Sequence, residues 1–129
     1  MEYPLDELLD KRSIIQLKIE RIDDEGDKER LKKEYEDYVN AINEFISKGI
    51  CTAEQVDEWH KQLFGANGKT WDLETNIRKG QLGDMSLEEV GKTAIAIRES
   101  NGARVRIKSA IVRKVGIGYE DIKINHASG

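Results

Sequence analysis

Three polar side chains interrupt an otherwise apolar helical stripe in AIAIRESNGARVRIKSAIV, residues 94–112. At about 100° per residue, Leu87, Val90, Ala94, Ile97, Val105, Val112 and Val115 share one arc, and Arg98, Asn101 and Lys108 fall inside it. Arg104 sits at its edge. A buried cation is costly unless paired and hydrogen-bonded, so the arc calls either for carboxylates from a neighbouring helix or for an anionic ligand. The nearest internal answer in sequence is WDLETNIRK, where Trp71, Glu74 and Arg78 recur at 3-4 spacing. Glu74 is expected to meet Arg98 or Lys108, leaving Arg78 to seek Asp10 or Glu20. Arg12 and Gln16 fall within the apolar face of the first helix, and Lys18 lies close by in sequence. Arg12, Arg78, Arg98, Arg104 and Lys108 then outnumber Glu74, which is the charge balance an anion site requires.

Three readings follow: an ion-pair network that fixes helix register, a pocket for a small anion, or a polar subunit interface. The first leads, because long cationic stems can lie along apolar surface with their heads in water. It gives a small structural or interaction protein. The anion-binding candidates are Arg12, Arg78, Arg98, Asn101 and Lys108, supported by Glu74, Trp71 and Lys18.

Other chemistries lack their residues. Gly-Lys-Thr occurs at 68–70 and 91–93, but a phosphate loop needs a glycine five residues earlier and a preceding strand; Leu63 and Ser86 stand there. His60 and His126 are the only histidines, and no Cys/His group has zinc spacing. No nucleophile elbow is present, and Cys51 has no base near it in sequence. Neither metal nor cofactor is expected, and no catalytic residue is assigned.

The elements that position these residues are helical. The first is expected over 4–24, with Pro4, Asp6 and Glu7 suiting its positive end and Leu5, Leu8, Leu9, Ile15, Ile19 and Ile22 forming its face. A second stripe, Lys11, Ile14, Lys18 and Arg21, gives this helix two contact sides. Gly26 is expected to end it. The second helix spans 27–48 on Leu31, Tyr35, Tyr38, Ile42 and Phe45, and Gly49 stops it. Thr52 and Gln55 form a capping box for the third, with Cys51 and Val56 as a hydrophobic staple. GANGK should break that helix near residues 65–68. Ser86 and Glu89 open the fourth helix, which runs to 115; Gly116 and Gly118 end it, and Ile122 and Ile124 alternate in an extended tail. One domain, 1–129, results: an all-α, four-helix antiparallel bundle with a short extended C-terminal tail.

Composition bounds the partners. The net charge is −4 over 129 residues, with 36% charged. Residues 90–115 carry seven Lys/Arg against one acid, whereas residues 1–89 carry 13 against 22. A basic last helix suits nucleic acid, with Lys92, Arg106, Arg113 and Lys114 turned away from the stripe, but packing beside the chain's own acids is the plainer account, so nucleic acid is not expected. No run reaches a membrane span, and MEYPLDELLDKR lacks a signal-peptide pattern. One cysteine allows no intrachain disulfide, which fits a reducing, cytoplasmic setting. The two sides of the first helix suggest a homodimer.

DKRSIIQLKIERI, WDLETNIR and NGARVRIK together resemble small bacterial helical proteins grouped as a domain of unknown function. The shared pattern takes in Asp10-Lys11, Lys18, Arg21, Trp71, Glu74, Arg78, Asn101, Arg104 and Lys108. It implies a helical fold and no activity. LDELLDKR also has a weaker likeness to the opening helix of the all-helical chorismate mutases, whose pocket sets cations around a dicarboxylate. That likeness implies a cofactor-free site built from Arg12, Lys18, Arg98 and Lys108 with Glu74 or Gln16. The remaining helices depart from that pattern.

Overall fold

A computed structural model describes residues 3–79, 83 and 85–128, with side chains for all but 79 and 117–128. It is all-α: helices α1 (Leu5–Arg21), α2 (Glu25–Ser47), α3 (Ala53–Lys79) and α4 (Leu87–Ser128) follow one another, and no strand occurs among the described residues. Successive helices reverse direction. α1 and α3 therefore run together, joined by Arg12–His60 and Arg21–Asp72, while α4 runs against both.

The helix ends follow from local chemistry. Ile22 is extended after Arg21, and the Asp24 side chain caps α2 by accepting from the backbone N–H of Gly26 at 2.9 Å and of Asp27 at 3.2 Å. Gly26 thus lies in the first turn of α2 and does not end α1, because the aspartate two residues earlier is the stronger signal. α2 stops as expected. Gly49 takes φ +74°, its N–H bonds Ile46 O, and Ile50 N–H reaches back to Phe45 O, the two bonds of a Schellman motif. Thr52 and Gln55 exchange the two bonds of a capping box at 3.0 and 3.1 Å, and Cys51 and Val56 are both in the core. Ser86 Oγ accepts from Glu89 N–H at 3.1 Å to open α4.

Two expected breaks are absent. α3 is continuous through Gly65–Gly68, and α4 continues past Gly116 and Gly118 to Ser128 in place of the extended tail. A glycine inside a helix costs only about 1 kcal/mol, and no proline follows Pro4 to force a stop. Gly68 is buried where α3 meets α1, and a Cβ there would stand in ordinary contact, 3.5 Å from Leu17 Cδ2 and 3.6 Å from Arg21.

α1 is the central helix. It touches α2, α3 and α4, whereas α2 packs chiefly on α1. The core gathers Leu5, Leu8, Leu9, Ile15, Leu31, Tyr38, Ile42, Cys51, Val56, Leu63 and Ile111. The second contact side of α1 is Asp10, Ser13 and Leu17, all buried, and not the Lys11 stripe: Lys11 and Ile14 are half-buried, Lys18 and Arg21 exposed. α4 is turned from the orientation its apolar stripe suggests. Ser100 and Ile111 are buried, with Ile107 and Val115 beside them, while Leu87, Ala94, Val105 and Val112 face outward.

The glycines allow a direct check. Gly65→Ala, with nothing within 4 Å of the added Cβ, should stabilise by about 0.5–1 kcal/mol in urea unfolding. Gly49→Ala, forced into a left-handed backbone, should destabilise by about 1 kcal/mol. A break of α3 at Gly65 would make the first substitution neutral or harmful.

Candidate functional site

Two polar clusters occupy opposite sides of α1, because residues two apart on a helix point about 200° away from each other. The first centres on Asp10, which is 1% exposed. Arg104 grips it with two nitrogens: Nε lies 3.0 Å from Oδ1, and Nη2 lies 2.5 Å from Oδ2. Asn67 Nδ2 donates to Asp10 Oδ1 and to Ser13 Oγ, both at 2.9 Å, and Ser13 Oγ donates to the Asp10 carbonyl at 2.7 Å. Lys108 Nζ stands 3.7 Å from Asp10 and 2.6 Å from Glu7. Beside the cluster, Ser100 Oγ bonds the Ala66 carbonyl at 3.1 Å and Thr70 Oγ1 at 2.6 Å.

The charges in this cluster cancel: Glu7 and Asp10 answer Arg104 and Lys108. Burial by itself would raise the Asp10 pKa, but hydrogen bonds from Arg104 and Asn67 and the charge of Arg104 outweigh it and hold the carboxyl below its ordinary value. The same pair raises the Arg104 pKa.

The second cluster centres on Arg12, 9% exposed, whose Nε donates to His60 Nδ1 at 3.1 Å. That bond requires an unprotonated Nδ1, so His60 is neutral and its Nε2–H donates to Gln16 Oε1 at 2.5 Å. The Arg12 guanidinium also lies 5.9 Å from the centre of the Tyr35 ring. Burial and the Arg12 charge push the His60 pKa down to about 4, against a smaller opposing pull from Asp57.

The expected site residues are not assembled at one place. Lys108 reaches Glu7 and Asp10, and Glu74 is exposed, as are Arg78, Arg98 and Lys18. Among the described residues, Arg78 Nε bonds the Glu74 carbonyl, at 3.3 Å. Asn101 is half-buried. Trp71 is half-buried under Arg21, whose guanidinium lies 5.6 Å from the ring centre and pairs with Asp72. Arg12 and Lys108 belong to separate clusters.

Asp10, expected to meet Arg78, instead meets Arg104 and Lys108; Glu7 and Asn67 have no place in the sequence expectation, and Arg104 proves to be the most firmly held cation. The missed signal was the 3-4 spacing of Asp10, Ser13 and Leu17, an alternative face of the first helix. No group of three or more metal-binding side chains occurs among the described residues. No helix among them is long and apolar enough to cross a membrane. No protein-family model matches the chain, and no curated protein or solved structure matches it significantly. The likenesses read in the sequence therefore assign no family.

Removing one member of a buried pair leaves the other charge stranded. Asp10→Asn should lower unfolding stability by about 3 kcal/mol, allowing for the part-exposed Arg104. Asp10→Asn combined with Arg104→Met should recover part of the loss; additive losses in urea denaturation would show the pair to be uncoupled.

His60 gives a separate pH signature. Its folded pKa lies below the unfolded value, so the unfolded chain takes up a proton first and stability falls as pH drops from about 6.5 to 4. With partial exposure the fall should be about 1–2 kcal/mol. Asp10, whose pKa is held below its ordinary value, adds its loss at more acidic pH than His60, so the two windows separate. Chemical unfolding across pH 7 to 4 should show the fall in the wild type and a flatter profile in His60→Gln.

Proposed function

We propose that this protein is an interaction module that forms a homodimer through the outer face of α4. The observation that carries the reading is the concentration of exposed apolar side chains there. Of the five large exposed hydrophobics among the described residues, Leu87 (92%), Ile95 (58%), Val105 (60%) and Val112 (47%) lie on α4. Leu87, Ala94, Val105 and Val112 share one side of the helix, with Arg98 and Asn101 between the two apolar pairs. A surface groove of about 350 Å³ adjoins that side, lined by Asp6, Val105, Lys108, Ser109, Val112 and Arg113. Val105, Lys108, Ser109 and Val112 stand at i, i+3, i+4 and i+7, the four corners of a hole that receives a side chain from a facing helix.

A second copy of the chain suits this face because its order of residues is self-complementary under a two-fold axis. An antiparallel copy centred between Glu99 and Ser100 sets Leu87 against Val112 of the second copy and Ala94 against its Val105. In the same register Arg98 meets Asn101 and Gly91 leaves space at the contact. Apolar residues meet apolar residues, which supports the register. The excess of Lys/Arg over acids in residues 90–115 opposes the pairing, which makes the association salt-sensitive in a stated direction. A cytoplasmic setting accompanies this reading, supported by the single buried thiol of Cys51.

Sedimentation at tens of micromolar should find a dimer that tightens as salt rises and screens the basic helices. Val105→Asp should yield a folded monomer. A wild type that stays monomeric would sink the proposal. The exposed cations Lys92, Arg106, Arg113 and Lys114 supply the competing expectation: a nucleic-acid complex, weakened steeply by the same rise in salt.

A further inference from the structure

Arg12 is a buried cation to which the fold gives no acid. Among the described residues no carboxylate oxygen lies within 4.0 Å of its guanidinium, whereas Arg104 and Lys108 each have one at hydrogen-bond distance. The contrast extends to proton affinity. Asp10 raises the pKa of Arg104, while burial lowers that of Arg12, with Tyr35 and Asp57 opposing weakly. Burial of an uncompensated guanidinium is expensive, so a fold that keeps one has a use for it or covers it with an anion.

The geometry also shows how the cation is presented. Nε is occupied by His60. No buried side-chain nitrogen lacks a partner, so Nη1 and Nη2, which make no hydrogen bond to a described residue, are the atoms that reach solvent. The remaining 9% exposure is therefore a small opening with a two-pronged donor at its base. Gln16 follows Arg12 by one helical turn on α1. Its Oε1 is taken by His60 Nε2–H, which turns the amide NH2 away from that bond as a second donor. Helices α1, α2 and α3 each contribute a wall: Gln16, the face of Tyr35, and His60.

We propose that this opening is a binding site for a small oxyanion, a phosphate or a carboxylate, whose two oxygens meet Nη1 and Nη2 of Arg12 while the Gln16 amide donates to one of them. The guanidinium fork matches either group in a bidentate manner. The neutral His60 positions Arg12 by accepting from Nε, which leaves the prongs turned outward. Asp57 is exposed and acts electrostatically on both Arg12 and His60 from beyond 4.0 Å, so it competes with the anion for the opening. The site is independent of the α4 face, on the other side of α1 from the Asp10 cluster.

The test uses the intact chain with inorganic phosphate and succinate in separate titrations, each against chloride at matched ionic strength. Thermal unfolding of the wild type should rise by about 5 °C when the anion reaches ten times its dissociation constant. Phosphate acting alone identifies a phosphoryl ligand, and succinate acting alone a carboxylate. Arg12→Gln should abolish the rise and Asp57→Asn should enlarge it. The Arg12 Nε–H resonance of the wild type should shift with saturation during the same titration, an arm that does not depend on any variant folding. An unmoved Nε–H resonance, or an equal thermal rise in Arg12→Gln, overturns the site. If Asp57→Asn and Arg12→Gln destabilise equally and non-additively without any anion effect, Asp57 is the counter-ion and the proposal fails.

Discussion

The Asp10 carboxylate is the point at which three helices are fixed to one another. It belongs to α1, receives Asn67 from α3, and receives Arg104 and Lys108 from α4. Apolar packing alone tolerates rotation and sliding of a helix by part of a turn, since one methyl contact replaces another. A buried carboxylate held by two nitrogens of one arginine tolerates neither. Turning α4 by a quarter turn to bury Val105 and Val112 would gain about 1 kcal/mol for each half-buried side chain. It would leave Asp10 buried without its cation, a loss of several kcal/mol. The ion pair therefore decides the rotation of α4, and the outward strip of Leu87, Ala94, Val105 and Val112 is its consequence.

That arrangement depends on small residues around the carboxylate. Ser13, Gly68 and Ser100 are buried at the contacts of α1, α3 and α4, where larger side chains would hold the backbones apart. Close approach lets the short Asn67 side chain span from α3 to both Asp10 and Ser13. It also lets Ser100 donate to the Ala66 carbonyl and accept from Thr70 Oγ1 on α3. α3 stays helical through both glycines because its tertiary contacts override local propensity.

What the sequence made legible was local. Thr52–Gln55, Ser86–Glu89 and Gly49 act within a few residues of themselves, and their bonds form as their spacing implies. The all-α class follows from apolar periodicity in the same way. The site was less legible because its partners are distant: Asp10 and Arg104 are 94 residues apart, and Glu7 and Lys108 are 101. A helical wheel ranks faces by hydrophobicity, so it assigned the core side of α4 to Val105 and Val112 and set Arg104 at the edge. It identified Arg12 and Lys108 as cations needing partners. It had no means of choosing Glu7 and Asp10 over Glu74.

The two clusters also divide the chemistry open to the chain. Around Asp10, two acids meet two cations and every buried polar atom is satisfied, so a ligand entering there would have to displace an existing partner. Electrostatic balance makes that side of α1 architecture. Around Arg12 the same helix carries a cation whose only direct polar partner among the described residues is a neutral imidazole, and burial together with the cation's charge keeps that ring neutral. Protonating His60 would set two donors against each other and two positive charges side by side, so the ring stays a neutral acceptor well below its ordinary pKa. Arg12 is thereby oriented without being neutralised. The proposed anion site rests on this orientation and desolvation, because less water competes for a buried guanidinium than for an exposed one.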